Sequence, residues 1–151
     1  MTSMEPTDLT ETQRSFLDYL DREIRAAGQA PSLRRAAADL GRKVFFLAST
    51  DLTHYGPNYG FSPKGRGTEA LEWVRDVNDA GFIAALFALD GREVIRRGNE
   101  DKAACSPGAA AAAVGFSRAL GYTNPRLCGY YTSHDVHPSE SFVGYCSVVY
   151  E

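Results

Sequence analysis

Eight consecutive residues, Ser49-Thr50-Asp51-Leu52-Thr53-His54-Tyr55-Gly56, set a carboxylate and an imidazole three positions apart immediately after an apolar run. A histidine in such a place ligates a metal or moves a proton, and a neighbouring aspartate fixes its tautomer or joins it as a ligand. The same pair also serves as a plain loop-capping network, so the spacing alone leaves both roles open. Cys105, in Ala103-Ala104-Cys105-Ser106-Pro107-Gly108, is the second candidate. It stands just before an alanine-rich stretch of helical character, where the helix dipole favours the thiolate form used in metal ligation or nucleophilic work. Cysteine is also among the most buried residues as a small hydrophobe, and composition alone favours that reading.

Other groups carry less. His134 and His137 look like a metal pair but sit with Asp135 and Pro138 in a polar stretch that offers no third ligand, and a solvated turn is expected there. Cys128 and Cys146 fall in strand patterns and are expected in the core. The three cysteines show no CxxC spacing, so neither a disulfide framework nor a zinc ribbon is encoded. Neither a glycine-rich phosphate loop nor a GxSxG nucleophile elbow is present, which leaves nucleotide chemistry and serine hydrolysis without support.

The elements that must position these groups follow from periodicity and punctuation. Residues 44–50, VFFLAST, read as a continuous buried strand that delivers Asp51 and His54 to its C-terminal end. Residues 57–67 are a loop rich in glycine and proline, and Thr68 is placed to cap a helix. The apolar pattern over 69–89, broken near Asp79-Ala80-Gly81, predicts two helices or a bent one, while 91–99 is charged and helical or irregular. Residues 109–120 form an alanine-rich helix between Pro107-Gly108 and Gly121. Arg126–Ser133 and Ser141–Tyr150 are the last two strands, with HDVHPSE as a turn or short loop between them.

Ahead of these, residues 8–27 carry Leu9, Phe16, Leu17, Leu20 and Ile24 on one helical face. Thr10 and Gln13 form a capping box, Gly28 closes the helix, and Ser32 caps a second one, Leu33 to Leu40, that stops at Gly41.

Composition bounds the rest. The 151 residues are 44% hydrophobic, enough for one domain with a core, and the net charge of -3 argues against a surface built for nucleic acid or anionic lipid. No apolar run reaches the roughly 18 to 20 residues of a membrane span, and the acidic, polar start MTSMEPTDLTE is unlike a secretory signal. A cytoplasmic protein with free thiols is the expectation.

The run VFFLASTDLTHYGPNYGFSP resembles the (S/T)D-x-(S/C/T)-H-(Y/W)-G segment of Memo proteins, known in prokaryotes as AmmeMemoRadiSam system protein B. Downstream, AACSPGAAAAAV is similar to that family's cysteine segment opening a helix, and GYYTSHDVHPSESFVGYCSVVY to its terminal pair of strands. The resemblance covers residues 33–151. It implies an α/β fold, partly like that of the class III, non-haem-iron extradiol dioxygenases, with a cleft lined by histidines and a cysteine. His54 and Cys105 match the family's cleft histidine and cysteine, and Asp51 matches the neighbouring acid. These three are the implied catalytic residues, and His54 and Cys105 the implied ligands of a divalent transition metal, iron or copper.

Two further cleft histidines belong to the family's N-terminal half, which nothing before Leu33 matches. The expectation is a truncated C-terminal half of a Memo-like domain, with a small molecule or peptide in its cleft and a second chain as a candidate to complete it. On its own it is expected to be inactive. Residues 1–32 form a helical segment similar instead to the opening of LexA-type winged helices, but no recognition helix and wing follow Gly41. A DNA-binding role is therefore the weakest of three readings, behind a metal-capable cleft and a non-catalytic binding or scaffold domain.

Overall fold

The computed structural model describes residues 10–41 and 45–151. The expected helical turn before Thr10, the start of the apolar run at Val44 and the basic pair Arg42–Lys43 lie outside them. The chain divides into two compact units, Met1–Val44 and Phe45–Glu151.

The first unit is a pair of helices, α1 (Glu11–Ala27) and α2 (Leu33–Asp39). Thr10 and Gln13 form the reciprocal capping box that their spacing encodes. Gly28 adopts a left-handed φ of 69°, which ends α1, and the Ser32 side chain accepts from the Arg35 amide to start α2. The apolar face read from the sequence is not buried: Phe16, Leu17 and Ile24 are exposed, and Tyr19 is the covered residue, its hydroxyl donating to Asp39 at 2.9 Å. A seven-residue α2 is too short to cover a face running along 17 residues.

In the second unit the described part of the strand expected over 44–50, residues 45–50, is not a strand. Residues 45–50 join no ladder, and Phe45 and Leu47 are 85% and 80% exposed. Backbone pairing begins only at Leu52, whose amide donates to Gly144 O at 2.9 Å, with Gly144 returning a bond to Thr53 O at 3.0 Å. A short strand β1 (His54–Tyr55) follows. The sheet is completed by β2 (Pro125–Thr132) and β3 (Phe142–Tyr150) in the order β1-β3-β2, with both pairings antiparallel. His54 stands opposite Val143 and Tyr55 opposite Phe142. The link between β2 and β3 is a helical turn, α7 (Ser133–Val136), where the sequence reading has a turn or short loop.

The helices fall close to their expected places. α3 (Thr68–Trp73) runs through a π-helical segment, Val74–Asp79, into α4 (Ala80–Phe87). Thr68 lies inside α3, and the cap position belongs to Gly67. α5 (Gly91–Glu100) is capped by Asp90, which accepts from the amides of Arg92 and Glu93, and α6 (Pro107–Leu120) ends at left-handed Gly121. Helices α5 and α6 approach closely because Gly98 has no side chain: a Cβ there would overlap the Pro107 ring.

The main core joins Leu52, Phe82, Leu86, Val94, Ala104 and Val114, with Tyr130, Cys146, Val148 and Tyr150 of the β2–β3 pair packed against it. Each fully buried large side chain here contributes roughly 1.5–3 kcal/mol. A smaller aromatic cluster of Tyr55, Val74 and Phe142, with Phe61 and Trp73 at its edge, supports the loop after β1. Cys146 meets the expectation of a core thiol in part, half-buried and pushed up to about 11 by that burial. Cys128 does not: the register shift between Leu127 and Gly129 leaves it unpaired in the ladder and exposed.

Candidate functional site

Asp51 and His54 leave the main chain on either side of Leu52 and Thr53, both of which point into the core. Anchored by those two residues, the loop turns its carboxylate and imidazole together, and His54 Nε2 stands 3.2 Å from Asp51 Oδ2. The His54 ring packs against Tyr59, centroids 4.9 Å apart.

Cys105 comes to the same place from the other side of the fold. It directly precedes Ser106, the cap residue of α6, and its segment is tied to the loop by main-chain and side-chain bonds. The Cys105 amide donates to Asp51 O at 3.2 Å, and the Asp51 amide points back at Cys105 Sγ at 3.4 Å. Thr50 Oγ1 accepts from the Ser106 amide at 2.9 Å and lies 3.6 Å from the same sulfur. One donor atom from each of Asp51, His54 and Cys105 lies within 4.8 Å of the others. The three residues singled out by type and spacing thus converge. They do so beside an antiparallel strand pair, not at the end of the parallel βα unit that the sequence reading invoked.

A cleft of about 260 Å³ opens beside the cluster, lined by Leu52, His54, Tyr59, Phe61, Gly98, Lys102, Ala104 and Cys105. Its walls are largely apolar and aromatic, with one cation, Lys102, whose ammonium lies 5.1 Å from the Phe61 ring centroid. Lys102 holds a left-handed φ of 54°, a conformation that costs energy for a residue with a side chain and gathers at functional sites. His134 and His137 belong to α7 and its C-terminal cap, and His134 packs edge-on against Phe142 at 5.8 Å. They are not part of the cluster.

Below the loop lies a buried polar network that sequence reasoning missed. Asp79 is fully buried; its Oδ1 accepts from the amide of Thr53 at 3.1 Å and from the Thr53 hydroxyl, and its Oδ2 from the Tyr130 hydroxyl at 2.9 Å. Burial pushes its carboxyl up to about 6, against the lowering effect of these bonds. Its side chain rests on Gly144, where a Cβ would overlap the carboxylate. The only signal in the sequence was an Asn-Asp pair interrupting an apolar helical run.

Residues 18–149 match the family model of Memo-like proteins. The chain belongs to the Memo family. Among Memo relatives, a MEMO1 family protein of Pyrococcus horikoshii is 37% identical over 139 residues, covering 88% of this chain and 46% of the relative. Another, of Pyrococcus abyssi, is 36% identical over 117 residues, covering 76% and 40%. A third, of Methanopyrus kandleri, is 32% identical over 115 residues, covering 76% and 36%. This Memo chain therefore spans less than half the length of these curated relatives. No solved structure gives a significant match. The Memo match reaches back to residue 18, inside α1, so it takes in part of the stretch read as opening like a LexA-type domain. Its mixed helix and sheet content fits the expected α/β class, and no described helix is long and apolar enough to cross a membrane.

Proposed function

We propose that this Memo-family domain holds a divalent transition metal between His54 Nε2, Cys105 Sγ and a carboxylate oxygen of Asp51, and presents it to a small molecule or peptide in the adjoining cleft. The observation that carries this reading is the convergence of one nitrogen, one sulfur and one oxygen donor within 4.8 Å from segments fifty residues apart. The donor set fits the group. An imidazole and a thiolate suit iron or copper better than magnesium or calcium, and a metal there would supply Lewis-acid or redox chemistry. His54 and Cys105 would bind it; Asp51 would either bind it or hold the imidazole in one tautomer.

Three protein donors leave the remaining positions to water or to groups from outside the described residues. The extra length of the relatives, and the apolar side chains that Phe45 and Leu47 turn outward, support a reading in which a further segment or a second chain adds to the site. We read residues 33–151 as the part of the Memo domain that carries this wall, preceded by the helical segment 1–32 into which the family match extends, and the fold as kin to the class III extradiol dioxygenases. A cytoplasmic setting would keep the thiol reduced.

The second reading, a non-catalytic binding domain, rests on the 3.2 Å contact between Asp51 and His54, which satisfies both groups without a metal. Calorimetry with Fe(II), Cu(II) and Zn(II) under reducing conditions separates the two. The metal reading expects one ion per chain, held no tighter than about 1 μM, or roughly 8 kcal/mol, because the coordination shell is only partly protein. It also expects that binding to weaken at least about tenfold in His54→Ala. Binding unchanged by His54→Ala would contradict it.

A further inference from the structure

The two segments that bring donors to the cluster touch each other through the Asp51–Cys105 bonds and the Thr50 hydroxyl, and both are also tied to one support beneath them. Asn78 Nδ2 donates to Thr53 Oγ1 at 2.9 Å, inside the Asp51–His54 loop, and to Asp101 O at 3.1 Å, at the start of the segment leading to Cys105. Asp79, its neighbour, accepts from the amide and hydroxyl of the same Thr53. Both side chains are buried. They are consecutive, and an α-helix turns consecutive side chains in different directions. Here the helix widens into a π-helical turn at Val74–Asp79, a local form that recurs at functional sites.

Packing alone gives little reason to keep this arrangement. A fully buried carboxylate costs stability unless it is paired, and among the described residues no cation pairs with Asp79, whose partners are Thr53 and Tyr130. An apolar side chain would avoid that cost only by leaving the Thr53 amide and the Tyr130 hydroxyl without their acceptor. What the polar pair provides is fixed distance: Thr53 is clamped by both side chains, and Asp101 is held to the same amide.

We propose that Asn78 and Asp79 are positioning residues that lock the loop bearing Asp51 and His54 and the segment bearing Cys105 to a single support, and so set the separation of the three donors. The metal reading above enters only the second half of the test.

In the first half, amide hydrogen exchange is followed by NMR on the full chain without metal. In Asn78→Ala the Cys105 amide, which bridges the two segments, is expected to exchange about tenfold faster or more, while amides inside α6 keep their protection. Asp79→Asn retains an acceptor for Thr53 and is expected to stay near wild type, which a demand for charge at that position would not allow. If Asn78→Ala fails to fold, Thr53→Val, which removes only the shared hydroxyl, takes its place with the same expectation.

In the second half, Co(II) is titrated into the same proteins. The thiolate charge-transfer band is expected to weaken and the affinity to fall about 10- to 100-fold in Asn78→Ala, with Asp79→Asn retaining both. Unchanged Cys105 exchange in a folded Asn78→Ala overturns the proposal, and so does a loss of protection spread equally through α6, which marks a plain core role. A wild-type chain that takes up no Co(II) while Cys105 exchange responds as expected removes the metal reading and upholds the positioning.

Discussion

Asp51 and Cys105 bind each other reciprocally: the Cys105 amide donates to Asp51 O at 3.2 Å, and the Asp51 amide lies 3.4 Å from Cys105 Sγ. The thiol is thus both an end of the cluster and part of the tie that builds it.

Replacing Cys105 with serine keeps the backbone bond but exchanges a soft donor for a hard one. Cys105→Ser is expected to fold with thermal stability close to wild type while losing most of its copper or iron binding. Differential scanning calorimetry and metal titration on the same sample check both parts. A large fall in melting temperature with metal binding intact would show that the sulfur is structural.

Thr50 joins the two segments through its hydroxyl, which accepts from the Ser106 amide. Thr50→Val removes that acceptor at a partly covered site and is expected to cost about 1 kcal/mol, read as a shift in the denaturant midpoint.

Asp79 gives the chain a pH dependence with a definite sign. Its carboxyl is pushed up to about 6 from an ordinary 3.8 by burial, with Thr53 and Tyr130 as its hydrogen-bond donors and the Cys146 thiol nearby. Between these values the native state holds a proton that the unfolded chain has released. Its contribution to stability is therefore greatest below about pH 4 and is lost as the pH rises to about 6. Asp79→Asn removes this titration, so the variant is expected to gain on wild type by on the order of 3 kcal/mol between about pH 4 and pH 7. Parallel stability curves for the two proteins across that range would contradict the assignment.

Gly98 admits the Pro107 ring between α5 and α6 and also lines the cleft. Gly98→Ala is expected to destabilise by about 1–3 kcal/mol, since ring and backbone must move apart. Urea unfolding measures it.

Much of this was legible in advance, and the exceptions share a cause. The capping box at Thr10, the stop at Gly28 and the alanine-rich α6 are local signals, written within a few residues of where they act. The joining of His54 with Cys105 was legible because a specific motif carried it. The run VFFLAST misled because a continuous apolar stretch denotes a buried strand only when other strands flank it, and here pairing starts past it, at Leu52. Cys128 misled because a bulge reverses the faces of a strand with no mark in the pattern. The Asn78–Asp79 support could not be read because its partners, Thr53 and Asp101, are more than twenty residues away on both sides.

The outward-turned Phe45 and Leu47 allow a separate check. The double variant Phe45→Ser, Leu47→Ser is expected to bind less hydrophobic dye and to self-associate less, with stability changed by no more than about 0.5 kcal/mol. A marked loss of stability would mean that these side chains are covered in solution.

The most direct measurement of the central claim is an anomalous-scattering map from a crystal of the chain soaked in Zn(II) under reducing conditions. The expected result is a single strong peak about 2.3 Å from Cys105 Sγ and about 2.0 Å from His54 Nε2, with an Asp51 oxygen at bonding or hydrogen-bonding distance. A peak at His134 and His137, with the Asp51–His54–Cys105 cluster free of metal, would contradict it.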